Sequence, residues 1–196
     1  MRPLVLSQFM SLDGYTCAED GTFLPPAWSD DVAEHWSHYA LGRATHLVYG
    51  RVNFLFNKGF WEPAETDPTS IAANIPYAGT MNKLPKTVFS RTLKGDPGWN
   101  GTLAGPDLKA EIATLKQGPL GQEGGAIFCF GGANLAQSLI AADVIDEYFF
   151  MVTPTLLGKG KRLFESGFNP IDLTLTRSKQ LDTGAVILHY RRKSAS

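Results

Sequence analysis

Apolar residues fall along this chain in two alternating rhythms, short continuous runs and stretches with helical spacing. The run AIFCF at Ala126–Phe130 carries no charge and suits one strand covered on both faces, as central parallel strands are. It breaks at Gly131-Gly132, after which Leu135, Leu139 and Ile140 recur on one side of a helix. Residues 3–10 (PLVLSQFM), 45–49 (THLVY) and 86–90 (KTVFS) read as further strands, with a short one at 102–104. A helix begins near Ser29, which can cap it. Asp30 and Asp31 stand at the positive end of its dipole, and Val32, Ala33, Trp36, Tyr39 and Ala40 mark its apolar face. Residues 52–56 predict a short helix, 57–68 irregular chain, and 69–84 a helix broken near Pro76. Pro106-Asp107 opens a helix carrying Leu108, Ile112 and Leu115. Residues 145–157 predict a long strand in which Pro154 marks a bulge, an edge or the end. Lys159-Gly160-Lys161-Arg162 reads as a flexible basic loop. The stretches 171–175 and 185–191, joined through Asp182-Thr183-Gly184, read as an antiparallel hairpin. Strands that alternate with helices and then give way to a hairpin predict an α/β sheet with an antiparallel edge.

With 196 residues and no dividing linker or repeat, the chain is read as one domain over 1–196. Lys and Arg total 18 against 19 Asp and Glu, a net charge of −1. That balance argues against nucleic acid or an acidic membrane as partner, since both normally require an excess of cations. No apolar window is long enough to span a bilayer, and the N-terminus reads as the first strand of a cytoplasmic protein. Cys17 and Cys129 make no disulfide framework and no C-x-x-C, and neither is expected to act as a nucleophile. His35 and His38 lie beside Glu34, but no further ligand stands at a recognisable spacing, so no metal is expected.

Chemistry concentrates at strand ends. Three buried strands finish in Gly50-Arg51, Ser90-Arg91 and Gly131-Gly132. In a parallel sheet such ends share one rim, where α/β proteins bind ligands. Two arginines, a serine and a glycine pair on that rim suit an extended anion such as a nucleotide, with helix N-termini adding N–H donors. The G-x-G-x-x-G fingerprint is absent, so a Rossmann reading is not supported.

The series MSLDG, LVYGR, VFSRTL, FCFGGANLAQSL and EYFFMVTPTLLGKGKRLF, in that order, resembles the dihydrofolate-reductase-like superfamily. It is most similar to the branch holding the reductase domain of the bifunctional riboflavin-biosynthesis deaminase/reductase. No H-x-E followed by P-C-x-x-C is present, so a deaminase domain is not implied. The resemblance implies a three-layer fold, a central mostly parallel mixed sheet with helices on both faces and a C-terminal antiparallel hairpin. It also implies NADPH. Gly50 and Arg51 match positions near the adenosine and phosphates, with Val52 and Asn53 standing where folate reductases have a His-Thr pair. Ser90 and Arg91 match the strand end that holds the 2′-phosphate. Gly131 and Gly132 match the pair beneath the nicotinamide, joined in the family by a cis peptide, and Ala133, Asn134 and Leu135 open a helix at the pyrophosphate. Phe54 and Trp61 match aromatics that wall the substrate pocket. For the proton, the candidates are Asp13 of the SLDG turn and Asp31 early in the first helix, and the sequence leaves that choice open.

The expected activity is NADPH-dependent hydride transfer to a small heterocycle or a ribosylaminopyrimidine phosphate. A dihydropteridine or folate substrate is the first alternative, and a non-catalytic NADP-binding module the second. The apolar strand around residues 148–157, an exposed sheet edge and the resemblance together predict a homodimer.

Overall fold

The charge-free run at Ala126–Phe130 becomes β6, and its alternate residues enter two different cores. Ala126 and Phe128 pack with Trp36, Tyr49 and Phe54, whereas Ile127 and Cys129 pack with Leu135, Leu139 and Ile145. A strand sends successive side chains to opposite faces, so a run apolar at every position needs a layer on each side. Those layers are present in the computed structural model, which describes residues 1–23, 26–119, 121, 124–165 and 168–193.

The strands are β1 (Leu4–Ser11), β2 (Tyr15–Cys17), β3 (Ala44–Gly50), β4 (Lys86–Phe89), β5 (Gly101–Leu103), β6, β7 (Glu147–Thr153), β8 (Lys161–Arg162), β9 (Leu173–Gln180) and β10 (Val186–Arg192). Eight of them form one sheet in the order β5-β4-β3-β6-β1-β7-β10-β9. Neighbours from β5 through β7 run parallel, and β10 lies antiparallel to both β7 and β9. The fold is the dihydrofolate-reductase-like mixed sheet with a C-terminal antiparallel pair. Helices α1 (Asp30–Val32), α2 (Tyr39–Arg43), α3 (Arg51–Trp61) and α4 (Ala78–Lys83) contribute to the first core, and α5 (Leu108–Gln117) and α6 (Ala133–Ala141) to the second.

Local chemistry explains most element ends. Ser29 caps α1 by accepting from the Val32 N–H, and Asp107 caps α5 by accepting from Lys109 and Ala110. β7 stops at Thr153, immediately before Pro154, which has no N–H to offer a neighbour. Three elements depart from the sequence reading. Between α1 and α2 the chain winds as a π-helix over Ala33–His38, which places Trp36 in a stack on Phe149 at 4.5 Å. α3 does not end at residue 56 but continues to Trp61, whose indole N–H donates to Asn57 one turn back. Gly59, which made this stretch read as irregular, has open space around it and is carried within the helix. The basic loop is partly ordered as well: Lys161–Arg162 pairs antiparallel with Tyr15–Cys17, and the Arg162 guanidinium lies 4.8 Å over the Tyr15 ring. Two-residue strands carry no periodicity, so this ribbon left no pattern to read.

Candidate active site

The strand register brings the expected strand ends together. Gly50 at the end of β3 lies opposite Phe89 at the end of β4, and Ser7 of β1 lies opposite Phe130 at the end of β6. Because β3 also pairs with β6, the dipeptides Gly50-Arg51, Ser90-Arg91 and Gly131-Gly132 follow three adjacent parallel strands. α3 and α6 both start at this rim, with Gly50 and Gly132 as their N-caps, and neither start is capped by a side chain. Their first N–H groups therefore remain available, which suits an anion.

Gly131 and Gly132 both take positive φ, +69° and +88°. Among the described residues there is no cis peptide bond, so the cis link implied by the resemblance is absent here. A Cβ on Gly131 would come within 2.9 Å of Gln8 Oε1, and one on Gly132 would meet the Asn53 Cβ at 3.6 Å. The pair is thus held between β1 and α3. Gln8 donates to the Phe9 carbonyl at 3.1 Å, while its buried Oε1 finds no partner among the described residues. Asn53 donates from Nδ2 to the Phe130 carbonyl and accepts at 3.3 Å from Asn57. Gly50 serves packing too: a Cβ there would stand 3.4 Å from that of Leu135, a buried member of the second core. Ala133 is buried beside it, whereas Asn134 is exposed.

The cations of the rim are free. Arg51 and Arg91 are exposed, and neither holds a hydrogen bond or ion pair among the described residues. Ser90 accepts on its Oγ from the Thr92 and Leu93 N–H groups, which leaves its hydroxyl proton to donate outward. An uncapped pair of helix starts, two free guanidiniums and a side-chain-free glycine pair fit the charge and shape of a dinucleotide phosphate.

The acidic candidates are committed elsewhere. Asp13 accepts from the Ser11 hydroxyl at 2.6 Å, Gly158 N at 2.7 Å and Leu157 N at 3.1 Å. The Ser11 hydroxyl and these backbone donors hold its carboxyl down at about 2, so it ties the SLDG turn to the loop after β7 as a carboxylate. Asp31 accepts from Asp182 N at 3.0 Å and lies 3.4 Å from Lys179, which hold its carboxyl below the ordinary range. It joins the first helix to the turn between β9 and β10. His35 lies 3.3 Å from Asp31 and His38 3.3 Å from Glu34, and among the described residues no three such side chains gather as a metal site. Burial pushes the Cys129 thiol up to about 12.

Of the two expected pocket aromatics, Phe54 is lost to the core. Phe54 is fully buried against Tyr49 and Trp99, at 6.1 and 5.5 Å, and is a core residue. Trp61 is half-buried against Tyr77 at 5.6 Å. The helical phase gives the reason: two residues turn a helix by about 200°, so Phe56 faces outward where Phe54 faces the sheet. Phe89 and Phe130 end two of the rim strands, and a separate aromatic group of Phe9, Phe23, Trp28 and Phe56 links β1 to α3. Phe9 lies 6.0 Å from Phe23 and 6.5 Å from Trp28, and Phe23 lies 6.0 Å from Phe56. Beside Phe9 a cavity of about 170 Å³ opens between Ser11, Tyr15, Pro26, Thr153 and Thr183.

Comparison with known proteins follows the same lines. The chain is 25% identical over 189 residues to the uncharacterized protein YyaP of Bacillus subtilis, covering 96% of this chain and 94% of YyaP. It is similar in fold to the deaminase/5-amino-6-(5-phosphoribosylamino)uracil reductase of Thermotoga maritima, with a TM-score of 0.64 at 14% identity. That match covers 98% of this chain and 57% of the Thermotoga one. The dihydrofolate reductase of Enterococcus faecalis, solved with NADP(H) and RAB-propyl, superposes with a TM-score of 0.59 at 14% identity, over 98% and 97% of the two chains. At such identities the likeness to the solved structures is one of fold. The sequence itself matches the model of the RibD C-terminal domain over residues 2–187, and the chain belongs to that family.

Proposed function

We propose that the protein is an NADPH-dependent reductase acting on a small heterocyclic substrate. The observation that carries this reading is the glycine pair at positive φ, set between two uncapped helix starts and beside two free arginines. A reduced nicotinamide, when bound, supplies a hydride. The chain's own residues do the rest. Gly131 and Gly132 leave the backbone bare for the close approach of a flat ring, and Gln8 and Asn53 brace that backbone from either side. The starts of α3 and α6 offer N–H donors to a diphosphate, and Arg51, Ser90 and Arg91 supply the cations and hydroxyl that an adenosine 2′-phosphate would use. Asp13 and Asp31 are ionised and occupied as acceptors, so the proton that accompanies hydride is left to water.

Gly132→Val tests the reading. The side chain would have to adopt φ +88° and crowd Asn53, so NADPH affinity should fall in a variant shown by circular dichroism to be folded. Unchanged affinity would remove the glycine pair from the cofactor site. Saturable NADPH binding with no oxidation across a panel of pteridines and pyrimidine ribosides would favour a non-catalytic binding module.

A further inference from the structure

Asn53, Asn57 and Trp61 follow one another at every fourth position of α3, a spacing that stacks side chains along one stripe of a helix. They are joined head to tail. The Trp61 indole N–H donates to Asn57 Oδ1 at 3.1 Å. Asn57 Nδ2 donates to Asn53 Oδ1 at 3.3 Å and to the Asn53 backbone carbonyl at 2.9 Å, and Asn53 Nδ2 donates to the Phe130 carbonyl. The row thus runs from the last residue of α3 to the carbonyl that immediately precedes Gly131. Its far end is fixed. The Trp61 carbonyl accepts from Asn82 Nδ2 at 2.9 Å, and buried Asn82 accepts from the Trp99 indole at 2.6 Å.

The two ends of a carboxamide are alike in size and opposite in hydrogen bonding, so packing alone does not set which way it points. Here the indole sets it. An indole N–H can only donate, so it takes Asn57 by its oxygen. Asn57 then meets Asn53 with its nitrogen, and Asn53 presents its own nitrogen to Phe130. Turned over, Asn53 would set Oδ1 against the Phe130 carbonyl, acceptor against acceptor. The carbonyl would lose its donor next to two glycines at positive φ, whose backbone turns easily.

We propose that Asn57 and Trp61 are positioning residues of the cofactor site. Acting through Asn53, they fix the direction of its amide and so the backbone on which the flat end of a dinucleotide rests. The inference rests on the cofactor reading of the glycine rim and adds to it two residues that lie one and two helical turns beyond Asn53.

The test compares NADPH with 2′-phospho-ADP-ribose, which keeps the adenosine and diphosphate but has no nicotinamide ring. Calorimetry with both compounds gives a ratio of affinities that reads the contacts of the ring alone. Asn57→Asp still accepts from Trp61 but cannot donate to Asn53, and Trp61→Phe keeps an aromatic ring against Tyr77 while removing the indole donor. The ratio of NADPH to 2′-phospho-ADP-ribose affinity should fall by about tenfold in Asn57→Asp, which forces the Asn53 amide over. It should fall by less in Trp61→Phe, which only frees it. The charge added in Asn57→Asp repels both diphosphates alike and cancels in the ratio. A purely structural row would lower the melting temperature without moving the ratio, so a ratio unchanged in either folded variant overturns the role of the residue altered. Wild-type affinities already equal for the two compounds would overturn the inference and leave the adenosine half of the cofactor reading standing. Binding of neither compound would overturn the cofactor reading itself, and this inference with it.

Discussion

Arg51 and Arg91 sit on neighbouring strand ends yet need not do the same work. Arg51 is the first residue of α3, close to the N–H groups suited to a diphosphate, whereas Arg91 follows Ser90, whose hydroxyl keeps a proton to donate. NADPH differs from NADH by one phosphate on the adenosine ribose, so a residue that reads this phosphate affects only one of the two. A hydrogen bond to a charged group contributes roughly 1.5–3 kcal/mol, and exposure of both arginines favours the lower end. Arg91→Ala should weaken NADPH binding by about tenfold and leave NADH nearly unchanged. Arg51→Ala should weaken both cofactors if it serves the diphosphate, or NADPH alone if it too reaches the 2′-phosphate. Equal losses for both cofactors in Arg91→Ala, measured side by side by calorimetry, would remove Arg91 from the 2′-phosphate.

At the scale of elements, the joint between α4 and β4 shows how a buried charge organises a turn. Lys86, the first residue of β4, is 1% exposed. Its ammonium donates to the carbonyls of Asn82 and Leu84 at the end of α4, and it lies 4.1 Å over the Trp99 ring. Asn82 in turn accepts from the Trp99 indole at 2.6 Å and donates to the Trp61 carbonyl at 2.9 Å. Lys86→Met keeps the stem but leaves two buried carbonyls without their donor, so urea unfolding should show a loss of about 1–3 kcal/mol. Nothing in the sequence marked this lysine, because a charge at a strand start ordinarily reads as solvated. The strands were legible where every position is apolar, as in Ala126–Phe130, and so were the caps Ser29 and Asp107, whose side chains act on adjacent backbone. The rim was legible because parallel topology carries strand ends to one side. What escaped depends on contacts distant in the chain. Phe23 and Trp28 join Phe9 from a loop with no period, and Asp13 is occupied by N–H groups more than a hundred residues away.

At the scale of the whole molecule, the Glu147 carboxylate ties the sheet to the first helical layer. The apolar strand β7 is hydrogen-bonded to β1 on one side and β10 on the other, so it offers a partner no open ladder. The sheet ends instead at the three-residue β5 and at β9, which carries Arg177 and Lys179. Glu147 begins β7 at 3% exposure and accepts from His189 and Arg191 of β10, at 2.9 and 3.3 Å, and from Arg43 at the end of α2, at 3.1 Å. The Tyr39 hydroxyl meets the other nitrogen of His189 at 3.1 Å. Burial pushes the Glu147 carboxyl up, but the His189 hydrogen bond and the Arg43 charge outweigh it and hold it down at about 2. A folded value below the ordinary 4.5 means that its stabilisation is complete above that pH. It is lost as pH falls from there towards 2. Glu147→Gln leaves Arg43 without its counter-charge and should cost about 3 kcal/mol near neutral pH, the low end for a broken buried pair because Arg191 keeps much of its water. The melting temperatures of the two proteins should therefore converge as pH drops from about 4.5 to 2, although Asp13 makes both fall in the same window. Melting curves that stay parallel throughout that range would show that Glu147 is not the carboxylate whose protonation loosens the sheet.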